Sequence, residues 1–153
     1  MTTDHTLDQA SPVPARPAWY ETSFHVRYAE TDQMGMVHHS HYLVWMEEGR
    51  SAFMRALGSS YAGFEAEGFY LVVSQVQARY IAPARYDRAV TVRVRVCQVR
   101  SRSATFDYEI VDTQTGQLLV SGQTQHLCLD RSGNVTRLPP AWRQRLAATA
   151  ASP

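Results

Sequence analysis

The apolar positions of this chain change period along its length. Residues 20–28 have the character of a first strand. From there Tyr42, Trp45, Met46, Gly49, Ala52, Phe53, Ala56 and Leu57 recur at spacings of three and four, the stripe of an amphipathic helix. Ser40 can cap that helix and Gly58 can end it. Glu47 and Arg50 are spaced to pair at i,i+3 on its more exposed side. A second short helical piece runs from Tyr61 to Glu67 and closes at Gly68. The period then drops to two. Phe69 to Ala82 reads as a long strand ended by Pro83. Ala89 to Val99 alternates, with Val90, Val92, Val94 and Val96 on one face and Thr91, Arg93 and Arg95 on a solvated one. Ala104, Phe106, Tyr108 and Ile110 mark a further strand, and Gln117 to Leu129 the last. Turns fall at 112–116 and 130–134.

The order is strand, long helix, then four strands joined mostly by short turns, which makes neighbours antiparallel. The expected class is α+β: a curved antiparallel sheet of about five strands wrapped around one long helix. One helix cannot cover both the sheet and its edges, so self-association is expected. Residues 1–17, rich in Pro, read as a flexible tail, 18–140 as one domain, and 141–153 as a short frayed helix or C-terminal tail.

Composition narrows the function classes. A length of 153 residues suits one domain with a real core. A hydrophobic fraction of 44% with 19% charged residues excludes a disordered chain. The formal charge of +1 gives no electrostatic reason to expect nucleic acid. Cys97 and Cys128 lie in strand-like runs without a CxxC pair and read as buried free thiols. No apolar run suggests a leader or a membrane span, so a cytoplasmic location is the expectation.

The chemistry concentrates in Arg27–Tyr42, which holds carboxylates, Gly35 and three histidines at the entry to the helix. Gly35 permits a tight turn. The amides that open a helix favour negative charge, and one of them could polarise a carbonyl as oxyanion charge develops. Asp32 could then direct water at that carbonyl or attack it. His38, His39 and His41 lack a regular metal-ligand spacing, so no metal is expected. No phosphate-cradling glycine motif occurs either.

The run Thr31-Asp32-x-x-Gly35-x-Val37-x-His39-x-x-Tyr42-Leu43, with Glu47 and Arg50, resembles the signature of 4-hydroxybenzoyl-CoA thioesterase-like hotdog-fold acyl-CoA thioesterases. The likeness continues through Ala78-Arg79-Tyr80-x-x-Pro83-Ala84-Arg85-Tyr86-Asp87 and Arg100-Ser101-Arg102-Ser103, over roughly residues 20–138. It implies hydrolysis of an acyl-CoA without a cofactor, in sites shared within a homodimer or homotetramer. It places the catalytic aspartate on Asp32, its associated histidine on His39 and the polarising amide on Val37 or His38. Tyr42 and the helix-start residues would line the acyl pocket; from the residues alone, Gly35 could come close to a ligand, and Trp45 reads as core with a reach toward the acyl chamber as the alternative. His38 and His41 depart from the aromatic and small polar residues common at those positions, which leaves aryl, short-chain and branched acyl groups open.

Arginine forks suit phosphates. Arg79, Arg85 and Arg102 are therefore the candidates for the CoA end, with Arg85 and Arg102 leading. Two other functions stay open at this stage. One is a hotdog dehydratase or hydratase acting on acyl thioesters through Asp32 and His39; the other is a non-catalytic acyl-CoA-binding protein.

Overall fold

A computed structural model describes residues 18–58 and 60–150; the expected 1–17 tail lies outside them. β1 (Tyr20–His25) leads through a one-turn 3-10 helix (Tyr28–Glu30) to α1 (His39–Ala56) and α2 (Tyr61–Ala66). β2 (Tyr70–Tyr80), β3 (Ala89–Val99), β4 (Ser103–Asp112), β5 (Leu118–Leu129) and α3 (Pro140–Thr149) follow. The five strands form one antiparallel sheet in the order β1-β3-β4-β5-β2. The sheet curves around α1 as the sequence predicts, which is the hotdog fold.

The alternation in β3 decides the sheet's two faces. Val90, Val92, Val94 and Val96 are fully buried under α1, with Phe106, Tyr108 and Ile110 beside them. On the outer face Arg93 pairs with Glu21 and Glu109, and Arg95 with Asp107. The expected solvated face is thus a half-buried ladder of ion pairs, with Trp19 stacked 4.3 Å from the Arg95 guanidinium. A register shift after Val96 turns Cys97 outward, so only Cys128 is the buried thiol the sequence suggested.

α1 buries Tyr42, Trp45, Met46, Gly49, Arg50, Phe53 and Met54. Glycine inside a helix costs about 1 kcal/mol relative to alanine, yet Gly49 sits at its centre. A Cβ there would stand 2.6 Å from Val92 Cγ1, and one on Gly122 of β5 would stand 2.5 Å from the Met46 methyl. Both glycines let the helix lie directly on the sheet. Of residues 141–153, expected as a short frayed helix or tail, 141–149 belong to α3, whose Trp142 and Leu146 are buried with Phe64.

Arg50 breaks the apolar stripe and does not pair with Glu47. Their i,i+3 spacing suggested a surface pair, but Arg50 lies on the buried face and Glu47 on the exposed one. Its guanidinium donates instead to the Tyr61 hydroxyl at 2.8 Å and the Tyr108 hydroxyl at 3.0 Å. Since Arg50 can only donate, Tyr108 passes its own proton to Thr124 (2.7 Å) and Thr124 to His126 Nε2 (2.8 Å). His126 Nδ1 finds no partner among the described residues. Burial, with the Arg50 charge, pushes the His126 pKa down to about 3. The unfolded chain therefore takes up this proton near pH 6.5 while the folded one resists it. Stability present above pH 6.5 should fall as pH drops toward 3. Thermal unfolding from pH 7 to pH 5 should show a falling Tm, and His126→Gln should flatten that slope.

Candidate active site

Residues 31–38 form a miniature hairpin against the start of α1. Thr31 bridges Val37, and Met36 bridges Arg85 in the segment between β2 and β3. Gly35 makes the reversal at a φ of +74°, in the left-handed region, with open space around its Cα. The Asp32 amide donates to the Met36 carbonyl at 2.7 Å, and the Gly35 amide to the Asp32 carbonyl at 3.0 Å. Asp32 Oδ1 accepts from the Met34 amide at 2.8 Å and more weakly from that of Met36 at 3.3 Å. One oxygen of the carboxylate thus orients the side chain, while Oδ2 has no donor among the described residues.

Asp32 faces an open cleft of about 340 Å3. Its walls bring together Val37, His39 and Tyr42 of the expected set with Met36, Tyr80 and Ile81. Tyr42 is buried, stacks edge-on against Trp45 and Tyr80, and accepts the Ala84 amide at 3.0 Å through its hydroxyl. Burial raises its pKa, and the nearby Tyr80 and Asp32 push in the same direction, so it stays a phenol. The Tyr80 hydroxyl donates to the His39 carbonyl at 3.0 Å. That bond ties the edge strand to the first residue of α1.

Three expectations need correction. The amides of Val37 and His38 are already spent: Val37 donates to the Ala84 carbonyl and His38 to the Glu30 carbonyl, both at 2.9 Å. Neither can polarise a ligand. The helix cap is His38, not Ser40, because His38 Nδ1 accepts the Ser40 amide at 3.3 Å and meets the Ser40 hydroxyl at 2.8 Å. This makes His39 the first residue of α1, and its N–H has no acceptor among the described residues. Trp45 turns away from the cleft: it stacks on Phe24 and Tyr42, and its indole N–H donates to Glu30 Oε1 at 2.9 Å.

The arginines separate. Arg85 adjoins the hairpin through Met36. Arg79 lies on the outer sheet face beside Arg95 and Asp107. Arg102 occupies the β3–β4 turn, where its carbonyl accepts the Cys128 amide, level with Leu71 on β2. Tyr80, beside the cleft, is at the other end of that strand, roughly 30 Å away at about 3.3 Å per residue. Next to Arg102 an open groove of about 630 Å3 is bordered by Phe69, Pro139, Arg137 and Arg143. Among the described residues no group of three or more His, Cys, Asp or Glu side chains, the run His38, His39 and His41 included, is placed to hold a metal ion.

The Thioesterase-like superfamily model matches residues 26–146, and the chain belongs to that superfamily. It is 36% identical to YneP of Bacillus subtilis over 69% of this chain and 76% of that protein. The crystal structure of the hypothetical protein TT1821 from Thermus thermophilus superposes with a TM-score of 0.81 at 38% identity, over 85% of this chain and 98% of that one. The DHNA-CoA thioesterase of Staphylococcus aureus gives a TM-score of 0.81 at 29% identity, over 85% and 89%. Family and fold together support a thioesterase-type hydrolase. No helix among the described residues is long and apolar enough to cross a membrane.

The hairpin's demand on Gly35 is conformational, since no atom lies within 4 Å of where a Cβ would stand. Gly35→Ala should cost about 1–2 kcal/mol from left-handed backbone strain alone. Urea unfolding measures it as a lowered midpoint at unchanged m-value.

Proposed function

We propose that this protein hydrolyses an acyl-CoA thioester to free acid and CoA, acting on cytoplasmic acyl-CoA. The observation that carries the proposal is the Asp32 carboxylate. Its Oδ1 is pinned by two backbone amides while Oδ2 has no donor among the described residues, and Asp32 lines a cleft that His39, at the start of α1, also lines. The thioester carbonyl oxygen would accept the His39 N–H, which takes over the role first expected of Val37 or His38. The helix dipole reinforces that amide as oxyanion charge develops. Oδ2 would direct water at the carbonyl carbon, or attack it to form an acyl–Asp32 anhydride that water then hydrolyses; in either case the C–S bond breaks and the CoA thiolate leaves. In single-turnover hydrolysis in 18O-water, label entering Asp32 identifies attack by the carboxylate. Met36, Tyr42, Tyr80 and Ile81 supply an apolar wall for the acyl group. The scheme uses no cofactor or metal.

Asp32→Asn should lower kcat by about 10²–10⁴-fold, the range for a positioned acid–base group, with the Tm nearly unchanged. His39→Ala should be far milder, because it keeps the backbone amide. A panel of acyl-CoAs with a thiol reagent decides the reaction class. Released CoA supports hydrolysis; a changed acyl group still joined to CoA means a dehydratase or hydratase. Tight binding without either means a carrier.

The cleft opens beside β2, an edge strand that exposes Val72, Val73, Val76 and Tyr80, with Ile81 exposed just after it. Such an edge invites pairing, and we place the dimer axis there, with β2 antiparallel to its own copy. A two-fold axis across β2 sets the Tyr70 end of one subunit beside the Tyr80 end of the other. The partner subunit's Arg102 would then stand near this cleft, with Arg85 contributed in cis, and both could hold CoA phosphates. Arg79, on the outer face, is dropped from that role. Arg85→Gln and Arg102→Gln should raise KM for acyl-CoA more than they lower kcat, and should spare the matching acyl-pantetheine. Equal damage to both substrates removes the arginines from nucleotide binding. Sedimentation should give a dimer or tetramer at assay concentration; a fully active monomer rules out the shared site.

A further inference from the structure

Glu30 has no part in the scheme above, yet it is the most heavily bonded carboxylate near the site. It is 2% exposed. Its Oε2 accepts the Arg27 amide at 2.8 Å. Its Oε1 accepts Arg27 Nε at 3.1 Å, Arg27 Nη2 at 2.8 Å and the Trp45 indole N–H at 2.9 Å. Its carbonyl accepts the His38 amide at 2.9 Å. The side chain therefore fastens the segment before Asp32 to α1 one turn beyond Tyr42, and its backbone fastens the cap residue that precedes His39. Asp32 lies two residues after Glu30, and the His39 amide lies one residue after the capped position. Both groups that must converge on the thioester are thus measured from one buried carboxylate.

We propose that Glu30 is a positioning residue of the hydrolytic site, holding Asp32 in register with the His39 amide. The proposal rests on the thioesterase reading. Ionisation suits the role, because every side-chain partner of Glu30 is a donor. Burial alone would raise the pKa of Glu30, but the bonds from Arg27 and Trp45 outweigh it and hold the carboxyl below its ordinary value. A glutamine is nearly isosteric. It would turn an NH2 group toward one of those donors, so the clamp would open on one side without a loss of volume.

The test is a double-mutant cycle with Asp32→Asn. Glu30→Gln alone should lower kcat on the order of 10²-fold with KM little changed, the penalty for a displacement near 1 Å. In the Asp32→Asn background the same change should cost the residual turnover almost nothing, because the carboxylate that its side chain positions is gone, while the Glu30 carbonyl that holds His38 is kept. An equal loss in both backgrounds overturns the proposal, since Glu30 would then act independently of Asp32. So does a lowered Tm with kcat intact, which is a structural role only. If Glu30→Gln does not fold, Arg27→Met decides. The Arg27 side chain is 74% exposed, so its replacement spares the core while removing two of the donors to Oε1. It should lower kcat severalfold at unchanged Tm, and full kcat overturns the proposal. Full turnover by Asp32→Asn itself instead sinks the hydrolase mechanism and the proposal with it, whereas an inactive Asp32→Asn beside a fully active Glu30→Gln sinks the proposal alone.

Discussion

The close approach of α1 to the sheet is the constraint on which the rest depends. Gly49 gives up about 1 kcal/mol of helix propensity and receives the two β3 valines that a Cβ would strike. Gly122 does the same for Met46 from the other side. With both contacts made the helix cannot slide or roll without steric collision, because protein cores are packed as densely as crystals. Its first turn is therefore fixed relative to the sheet edge. A polarising amide is useful only if it does not move as charge develops, and on the proposed reading the His39 amide would inherit that rigidity from the core.

The second constraint joins a loop to that helix. The 31–38 hairpin has almost no core of its own. It is held by backbone bonds to Ala84 and Glu30 and by the Asp32 side chain, which folds back on its own turn. Capping its own turn and acting on a substrate are compatible roles for Asp32: Oδ1 takes the first, and Oδ2, without a donor among the described residues, would serve the second. A carboxylate anchored through one oxygen loses little further rotamer freedom when a substrate arrives, which is how preorganisation reduces the cost of reaching the reactive geometry.

Period two in β3 and period 3.6 in α1 made the sheet, the helix and the buried faces legible, because local periodicity reports which face meets the core. The tight turn at Gly35 was legible for the same reason, being local in sequence, whereas the helix cap falls on His38 and not on the expected Ser40. The rest depended on partners distant in the chain. Nothing near Val37 says that its amide is taken by Ala84, since that bond closes only after the chain has run the length of the edge strand β2. Arg50 and Glu47 have the spacing of a surface pair, but the rotation of α1 puts one inside and one outside. Glu30 read as one more carboxylate in a polar turn. The signal that could have marked it was Arg27 three residues before it and an indole, Trp45, on the apolar stripe that follows. Arg102 carries the right chemistry, but its distance from Asp32 in a single chain is set by strand length, which motif similarity does not measure.

That distance has a consequence for assembly. Within one subunit, the groove bordered by Phe69, Arg137 and Arg143 and the cleft at Asp32 lie at opposite ends of β2. An antiparallel pairing exchanges ends, so the edge that would be an aggregation liability in a monomer is the element able to bring the two together. On the proposed reading, an isolated subunit would keep the carboxylate and the amide but lack half of the surface that grips CoA. Affinity for the nucleotide would then follow the monomer–dimer equilibrium by mass action. The chemical step on a short thioester would depend mainly on the Glu30–Trp45–His39 geometry inside one chain. Dilution would thus raise KM for acyl-CoA well before it lowered kcat on acyl-pantetheine.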